Sequence, residues 1–421
     1  MRVRVGVIFG GESVEHEISI ISAMQAIAAM DENKYEVVPL YISKQNRWYT
    51  GKALTNIETF KDLDAAIANA QQVLLQTEHG HHYVYAFPFK MLKNKPIAEI
   101  DVAFPVVHGT NVEDGTLQGY LDSLRIPYAG PTVGAAAVGQ DKVFMKNIWQ
   151  ANGLPVVPFV WLYSNQWEQQ PERFVHRIEA TLHFPVIVKP ANLGSSVGIS
   201  IAKDTDSLIE AINESAQFDD KIIVEQVVNN LLEVNCSVLG DFTHAVASPI
   251  EEVTGSDEIL SYRDKYQGGK GKGGSKADGG KLALLKTDGA KTAGGGSKGA
   301  GMAATNRVIP ARISEEATKE IQRLARQAFY TLNMSGVSRI DFLIDKEEGN
   351  VYLNEINTIP GSLSFYLWQE SGVDFTELTD RLIQFAIKAK QRRERKVFSY
   401  DSNVLANAKL PAQGAKSGVK Q

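Results

Sequence analysis

Two runs of alternating apolar residues, joined by a short polar link, constrain this chain more than any other feature. They are Ser338-Arg339-Ile340-Asp341-Phe342-Leu343-Ile344-Asp345 and Val351-Tyr352-Leu353-Asn354-Glu355-Ile356-Asn357-Thr358, flanking Lys346-Glu347-Glu348-Gly349-Asn350. Apolar residues at every second position read as strands, and the glycine-bearing link makes them a hairpin. A period of two sets Arg339 and Asp341 on one face of the first strand, and Glu355 and Asn357 on one face of the second. Two carboxylates, an amide oxygen and a guanidinium then share a small area. Hard oxygen donors of this kind suit Mg²⁺, which is usually held by one or two carboxylates plus substrate phosphates. A hairpin with a charged solvent face fits the same pattern, so the rest of the chain must decide.

The N-terminus reads as a strand through Phe9 that ends in Gly10-Gly11-Glu12-Ser13. The spacing of Ile18, Ile21, Met24, Ile27 and Ala28 then predicts a helix from about Glu15 to Met30. A strand, a glycine turn and a helix N-terminus make a natural site for an anion or polar substrate. Glu15 and Glu17 also suit the first helical turn on dipole grounds. Further strands are predicted at Tyr35 to Ile42 and at Val102 to Val107, the latter running into His108-Gly109-Thr110-Asn111-Val112-Glu113-Asp114-Gly115. Polar, glycine-bearing loops at the C-terminal ends of strands in α/β units are where ligands bind. His108 and Glu113 are therefore pocket candidates, and structural loop roles fit them equally. The turn Pro127-Tyr128-Ala129-Gly130-Pro131 closes this first α/β domain.

A helix is predicted around Asp141 to Lys146, and a buried strand from Phe184 to Pro190 that delivers Lys189 to Ala191-Asn192-Leu193-Gly194-Ser195-Ser196-Val197-Gly198-Ile199. A loop of small residues can lay backbone N–H groups and hydroxyls on a phosphate. It is not a Walker A loop, because the lysine precedes the glycines and no helix follows. Lys142 and Lys189 are the natural phosphate partners. The strand Lys221 to Val228 carries Glu225 into a linker, and Glu233 opens the next strand. Carboxylates here suit an adenine amine and a ribose, or an ordinary charged sheet edge. A helix from Glu315 to Leu332 precedes the hairpin. Ile359-Pro360-Gly361-Ser362-Leu363-Ser364, a turn presenting backbone N–H groups, follows it, and then an amphipathic helix from Asp374 to Lys388.

Composition changes abruptly after Ser261-Tyr262-Arg263-Asp264-Lys265-Tyr266. Of the 35 residues Gln267 to Gly301, 13 are glycine and 7 lysine, too little apolar surface to bury a core, so a mobile basic loop is expected. A loop this long in a compact enzyme is a lid or a disordered insertion. The tail, 396–421, is expected to be largely disordered. Elsewhere the chain is ordinary for a globular protein, with 43% hydrophobic and 22% charged residues. Its net charge of −5 argues against a general nucleic-acid binder. A single cysteine, Cys236, excludes a disulfide framework and fits a reducing compartment, and no apolar run reaches membrane-spanning length. A cytoplasmic protein of two or three domains is expected.

Taken together, Gly10-Gly11-x-Ser13-x-Glu15-x-Glu17-x-Ser19, His108-Gly109-x-x-x-Glu113-Asp114-Gly115, Asp141-Lys142, Lys189-Pro190 with Gly194-Ser195-Ser196-Val197-Gly198, Lys265-Tyr266, Arg339-Ile340-Asp341 and Asn354-Glu355-Ile356-Asn357-Thr358-x-Pro360-Gly361 resemble, in order, the D-alanine–D-alanine ligases of the ATP-grasp superfamily. The resemblance runs over roughly residues 1 to 395 and leaves out the glycine–lysine stretch and the tail. It implies mixed α/β and α+β architecture: an ATP-grasp fold with an N-terminal Rossmann-like α/β domain. The expected units are 1–130 with the first D-alanine site, 131–228 as the central ATP-grasp subdomain, and 229–395 as the C-terminal subdomain with metal site and lid.

The resemblance also implies roles. Asp341, Glu355 and Asn357 would hold two Mg²⁺ (or Mn²⁺) ions bridging the ATP phosphates. Lys142, Lys189 and Ser196 would contact phosphates, and Lys265 would reach the γ-phosphate. Glu225 and Glu233 would bind adenine and ribose, with backbone groups of Gln226 and Val228 beside the base. Arg339 and the Gly361 N–H resemble an oxyanion hole. Glu15 is similar to the residue that pairs with the first substrate's ammonium, and Ser195 and Tyr266 to its partners in a triad that pins the lid shut. In the family a tyrosine at the Tyr266 position goes with dipeptide formation. Two departures stand out: a lid longer by roughly twenty residues, and Tyr366 where better-known members carry a serine that binds the second substrate's carboxylate. Ser364 or the Tyr366 hydroxyl can substitute. The family is commonly dimeric through its N-terminal domain. A D-alanine–D-lactate or D-alanine–D-serine ligase, or an inactive ATP-binding relative, fits much of the same pattern.

Overall fold

Val5 to Gly10 is buried without interruption, so the first strand must be covered on both faces and flanked by neighbours. In the computed structural model, which describes residues 2–89, 95–194, 197–253 and 307–399, it lies between two parallel partners. The glycine–lysine stretch 267–301, the tail from residue 400, and Ser195, Ser196, Lys265 and Tyr266 lie outside the described residues.

The first sheet has seven strands: β1 (Val3–Gly10), β2 (Tyr35–Ile42), β3 (Trp48–Thr50), β4 (Gln71–Glu78), β5 (His81–Ala86), β6 (Ala98–Ile100) and β7 (Val102–Pro105), ordered β6-β5-β4-β3-β2-β1-β7. The expected second strand, Tyr35 to Ile42, has those bounds in the structure, and the helix after the glycine turn spans His16–Ala29. A second, antiparallel sheet, ordered β10-β9-β11-β8, is made of β8 (Phe159–Tyr163), β9 (Val186–Pro190), β10 (Ser200–Ala202) and β11 (Lys221–Gln226). The third, β14-β13-β12-β15-β16, comprises β12 (Leu231–Gly240), β13 (Ala245–Val253), β14 (Arg307–Val308), β15 (Gly336–Asp345) and β16 (Val351–Asn357).

The hairpin therefore forms one end of the third sheet, with β16 at its edge. β15 pairs along its length with β12 on one side and with β16 on the other. The register sets Arg339 opposite Asn357 and Asp341 opposite Glu355, as a period of two requires. A one-residue bulge follows: Asp341 pairs with Glu355 but Phe342 with Leu353, leaving Asn354 extra.

Core packing does not follow the sheets one by one. The first sheet's core continues into Leu239, Val337, Leu363, Trp368 and, on the helix Phe375–Glu394, Leu378, Leu382 and Ile383. At the centre of that join Gly336 approaches Gly130 so closely that a Cβ would lie 2.9 Å from the Gly130 Cα, and its φ of +88° also favours glycine. The other face of the third sheet packs on the helix Glu315–Thr331 through Ile321, Leu324 and Phe329. Met145 and Trp149 of the helix Lys142–Ala151 join that same cluster, although sequence order places this helix with the central unit. The second sheet keeps a core of its own, including Val160, Leu162, Phe174, Val188 and Val224.

Candidate active site

Arg339 and Asp341 are two residues apart on a strand, and their side chains meet on one face. Arg339 donates from Nε to Asp341 Oδ1 at 2.7 Å and from Nη2 to Oδ2 at 2.8 Å. Burial opposes the guanidinium charge, but the Asp341 carboxylate more than compensates and holds Arg339 well above its ordinary value. Asn357 donates its amide N–H to Asp341 Oδ2 at 3.1 Å, so the oxygen of that amide is its available metal donor. Across the pair from Asp341, Glu355 Oε2 lies 3.5 Å from Lys142 Nζ. Among the described residues there is no group of three or more His, Cys, Asp or Glu able to hold a metal. Two carboxylates and one amide suit a hard divalent cation that takes its remaining ligands from phosphates and water. The residues therefore fit Mg²⁺ presented with a nucleotide, and do not form an all-protein cage.

Lys142 heads its helix beneath the glycine loop. Its backbone N–H donates to Ala191 O at 3.0 Å, and its Nζ to Leu193 O at 2.7 Å. Lys189 projects from the end of β9 and donates to Glu225 Oε2 at 2.6 Å. Lys146, one helical turn beyond Lys142, is fully buried with its Nζ 2.8 Å from Glu225 Oε1. Burial alone would push the Glu225 carboxyl up, but the two lysines reverse this and bring it to about 2. Burial also opposes the Lys189 charge, and Glu225 raises that lysine overall, whereas for the deeper Lys146 burial wins and its value falls. Asp141 caps the helix by accepting from Val143 N and Phe144 N, and pairs with Lys221 of β11.

At the other end the first helix and the 108–115 loop meet the turn after β16. Glu15 N donates to Ser13 Oγ at 3.1 Å, and Ser13 Oγ donates to His108 O at 2.7 Å. A Cβ at Gly109 (φ +82°) would lie 2.4 Å from Ser13 Oγ and 3.0 Å from Glu15 Oε2, so only glycine permits this approach. The glycine loop also reaches here: a Cβ on Gly194 would sit 3.3 Å from Glu15 Oε2. Glu113 is buried, and its Oε1 accepts from Ile359 N (2.8 Å) and Thr358 Oγ1 (3.0 Å) while Oε2 accepts from Gly109 N (2.9 Å). Burial dominates and raises its carboxyl to about 7. A raised folded-state value means that the unfolded chain gives up this proton first. Glu113 should therefore erode stability as pH rises from the ordinary 4.5 towards about 7. In melting curves over that window, Glu113→Gln should flatten the decline; an unchanged slope would refute the assignment.

Glu15, His108, Glu113, Lys142, Glu233, Arg339, Asp341, Glu355, Asn357, Gly361 and Tyr366 line one cavity of ≈ 190 Å³, walled by strands of the third sheet, by the first helix and the 108–115 loop, and by Lys142 and Gly194. Lys189 stands behind it, through Glu225. Several of the expected site residues have partners of their own within the protein. Glu225 is 1% exposed with both oxygens against lysines, so its carboxylate serves as their counter-ion. The Gln226 side chain is folded onto His183, exchanging hydrogen bonds with its backbone, and Val228 lies just past the end of β11. Ser364 is fully buried and off the cavity wall. Tyr366 is on that wall, but its hydroxyl donates to Glu251 Oε2 at 3.1 Å.

Sequence reasoning missed that corner. Glu251 also pairs with Arg307 Nε at 3.0 Å, and the Arg307 guanidinium lies 4.1 Å over the Tyr366 ring. In sequence Glu251-Glu252 looks solvated. Lys146 was missed too, and its i+4 spacing from Lys142 beside Met145 and Trp149 was the available signal.

Comparison with known proteins gives the same picture. The family model described as D-ala D-ala ligase N-terminus matches residues 4–131, and that described as D-ala D-ala ligase C-terminus matches 148–279 and 297–384. The unmatched 280–296 falls inside the glycine–lysine stretch. The D-alanine–D-alanine ligase of Thermosipho melanesiensis is 36% identical over 403 residues, covering 96% of this chain and 98% of the relative. That of Caldicellulosiruptor bescii is 37% identical, covering 95% and 98%. Among solved structures, the D-alanine–D-alanine ligase of Coxiella burnetii superposes with a TM-score of 0.71 at 28% identity, covering 94% of this chain and 96% of that one. The VanG D-Ala:D-Ser ligase of Enterococcus faecalis gives 0.70 at 28%, covering 92% and 100%. A carboxylate pair on the third sheet beside Lys142, with Lys189 at the end of β9 in the second, goes with an ATP-grasp ligase. The chain belongs to the D-alanine–D-alanine ligase family.

Proposed function

We propose that this chain joins two D-alanine molecules into D-alanyl-D-alanine for peptidoglycan precursor synthesis, at the cost of one ATP. The observation that carries this reading is the convergence in one cavity of the Asp341–Glu355–Asn357 face, Lys142, Glu233 and Glu15. Asp341, Glu355 and Asn357 would hold two Mg²⁺ (or Mn²⁺) ions, which when bound neutralise the ATP phosphates. Lys142 and Lys189 bind phosphate oxygens, with Ser196 and Lys265 added from segments outside the described residues. Glu233 takes the ribose, and backbone groups of Gln226 and Val228 flank the base.

Glu15 pairs with the ammonium of the first D-alanine. The carboxylate of that first D-alanine takes the γ-phosphoryl group of ATP, giving an acyl phosphate and releasing ADP. The amine of the second D-alanine attacks the carbonyl carbon, Arg339 and the Gly361 N–H receive the developing oxyanion, and phosphate leaves. Ser195 and Tyr266 close the site with Glu15, excluding water that would hydrolyse the acyl phosphate. A cytoplasmic homodimer paired through the N-terminal domain goes with this reading.

The test is phosphate release with ATP and D-alanine, with product identification when D-lactate or D-serine is also present. Release that requires both ATP and D-alanine, with dipeptide as product, supports the proposal. No D-alanine-dependent release would make the chain an inactive relative. A mixed product with D-serine would shift the second substrate, a reading favoured by Tyr366 at the usual serine position and by the likeness to a D-Ala:D-Ser ligase. Tyr266→Phe should gain D-alanyl-D-lactate formation at lower pH, and unchanged product ratios would count against the dipeptide role given to Tyr266.

A further inference from the structure

Three consecutive non-glycine residues after Gly361 adopt left-handed backbone: Ser362 (φ 50°), Leu363 (φ 52°) and Ser364 (φ 50°). Such backbone is strained for any residue but glycine and persists only where the surroundings over-determine it. Here the constraint comes from the N-terminal domain. Ile359 N donates to Glu113, and Ile359 O lies 2.9 Å from His108 Nδ1. Ser362 N donates to Ser22 Oγ at 2.9 Å, and Ser22 Oγ lies 3.0 Å from His108 Nε2. Both ends of the segment carrying the Gly361 amide are thus pinned to one buried pair, Ser22 (1% exposed) and His108 (3% exposed).

The protons in this network have a fixed order. The Ile359 carbonyl can only accept, so His108 carries its proton on Nδ1. Burial keeps the ring neutral, so Nε2 accepts. The Ser22 hydroxyl must then donate to Nε2, and its oxygen is left to accept from Ser362 N–H. No other assignment of the neutral groups satisfies all three contacts.

We infer that Ser22 is a positioning residue for the reaction: through the Ser362 amide and His108 it sets the place of the Gly361 N–H that receives the oxyanion. This rests on the role given to Gly361 under Proposed function. Nothing in the Ser22 network touches Lys142, Lys189 or the carboxylate face, and its hydrogen-bonded link to Glu15 runs through the His108 carbonyl and Ser13, so its removal should act chiefly on the second step. Small displacements of a group that must meet a transition state cost up to ~100-fold.

The experiment compares wild type with Ser22→Ala in steady-state turnover. It also measures binding of a phosphinate in which tetrahedral phosphorus replaces the carbonyl carbon between two D-alanine units. The expected result is a ~10- to 100-fold fall in kcat and a matching loss of phosphinate affinity, with KM for ATP and for the first D-alanine within about twofold. Unchanged kcat would overturn the inference. So would a fall in kcat with phosphinate affinity intact, or one accompanied by an equal rise in both KM values. Should Ser22→Ala lose its cooperative melt, Ser22→Cys, nearly isosteric with a weak acceptor, is read by the same criteria. A wild-type protein with no D-alanine-dependent phosphate release would defeat the proposed function instead, which separates the two failures.

Discussion

Asp341→Asn and Glu355→Gln should each reduce D-alanine-dependent ATP turnover at least ~1,000-fold, a transition-state loss of about 4 kcal/mol. Both substitutions keep side-chain size and remove a negative charge from the face that would hold the metal with the phosphates. They should differ in stability. Asp341 is the partner of Arg339, which is 8% exposed and bound through two parallel hydrogen bonds. Removing that charge leaves a buried guanidinium without compensation, so Asp341→Asn should also melt several degrees lower. Glu355 faces Lys142 at 3.5 Å and is more open to solvent, so Glu355→Gln should melt close to wild type. Turnover, melting temperature and Mg²⁺ titration on both variants check this. Either variant retaining more than about a tenth of wild-type turnover would return the hairpin to a charged face with no catalytic part.

Glu225→Gln should destabilise the fold by about 3–5 kcal/mol, as breaking a buried ion pair typically does. One carboxylate here balances two ammonium groups, Lys146 and Lys189, both at least nine-tenths buried. The sign with pH follows from the depressed carboxyl value of about 2. Its contribution is complete above the ordinary 4.5 and is lost as pH falls towards about 2. Adding Lys146→Met to Glu225→Gln should recover part of the loss, because it removes one of the stranded charges and leaves an apolar chain among Met145 and Trp149. Urea unfolding at neutral pH measures all three proteins. A Glu225→Gln midpoint equal to wild type would mean that the cluster contributes nothing to stability.

What sequence alone could reveal follows a physical division. Strand faces obey a period of two regardless of tertiary context, so the Arg339–Asp341 and Glu355–Asn357 alignment was legible from the residues, and the register confirms it. The strand Tyr35 to Ile42 was legible as a nearly continuous apolar run, as a buried parallel strand requires. Depth was not legible. Glu225 looks like an edge carboxylate because its strand ends there, and only the arrival of Lys146 from a separate helix buries it. Likewise the resemblance offers Ser364 as a pocket hydroxyl, but it is fully buried off the cavity wall, on which Tyr366 stands instead. Glu113 illustrates a third case. Its loop marked it as a pocket residue, and it does line the cavity, while its oxygens serve the backbone of a turn some 245 residues further along the chain. Partnerships over such separations leave no local pattern.

The way the core is shared out determines which part of the molecule can swing. The first sheet and the C-terminal helix share one continuous interior, closed by the Gly336–Gly130 contact, so they behave as a single block with the third sheet. The second sheet has its own interior and meets that block through Val143, Ala191 and Ile223 and through charges: Asp141 with Lys221, and Lys146 with Glu225. A leaf carrying Lys189 and the glycine loop can therefore tilt against a fixed base carrying Asp341, Glu355 and Glu15. Of these contacts the Lys146–Glu225 pair would be the costliest to part, because it would strand buried charge, whereas the small apolar contact beside it can slide. The Glu225 carboxylate is thus also what fastens that leaf to its base.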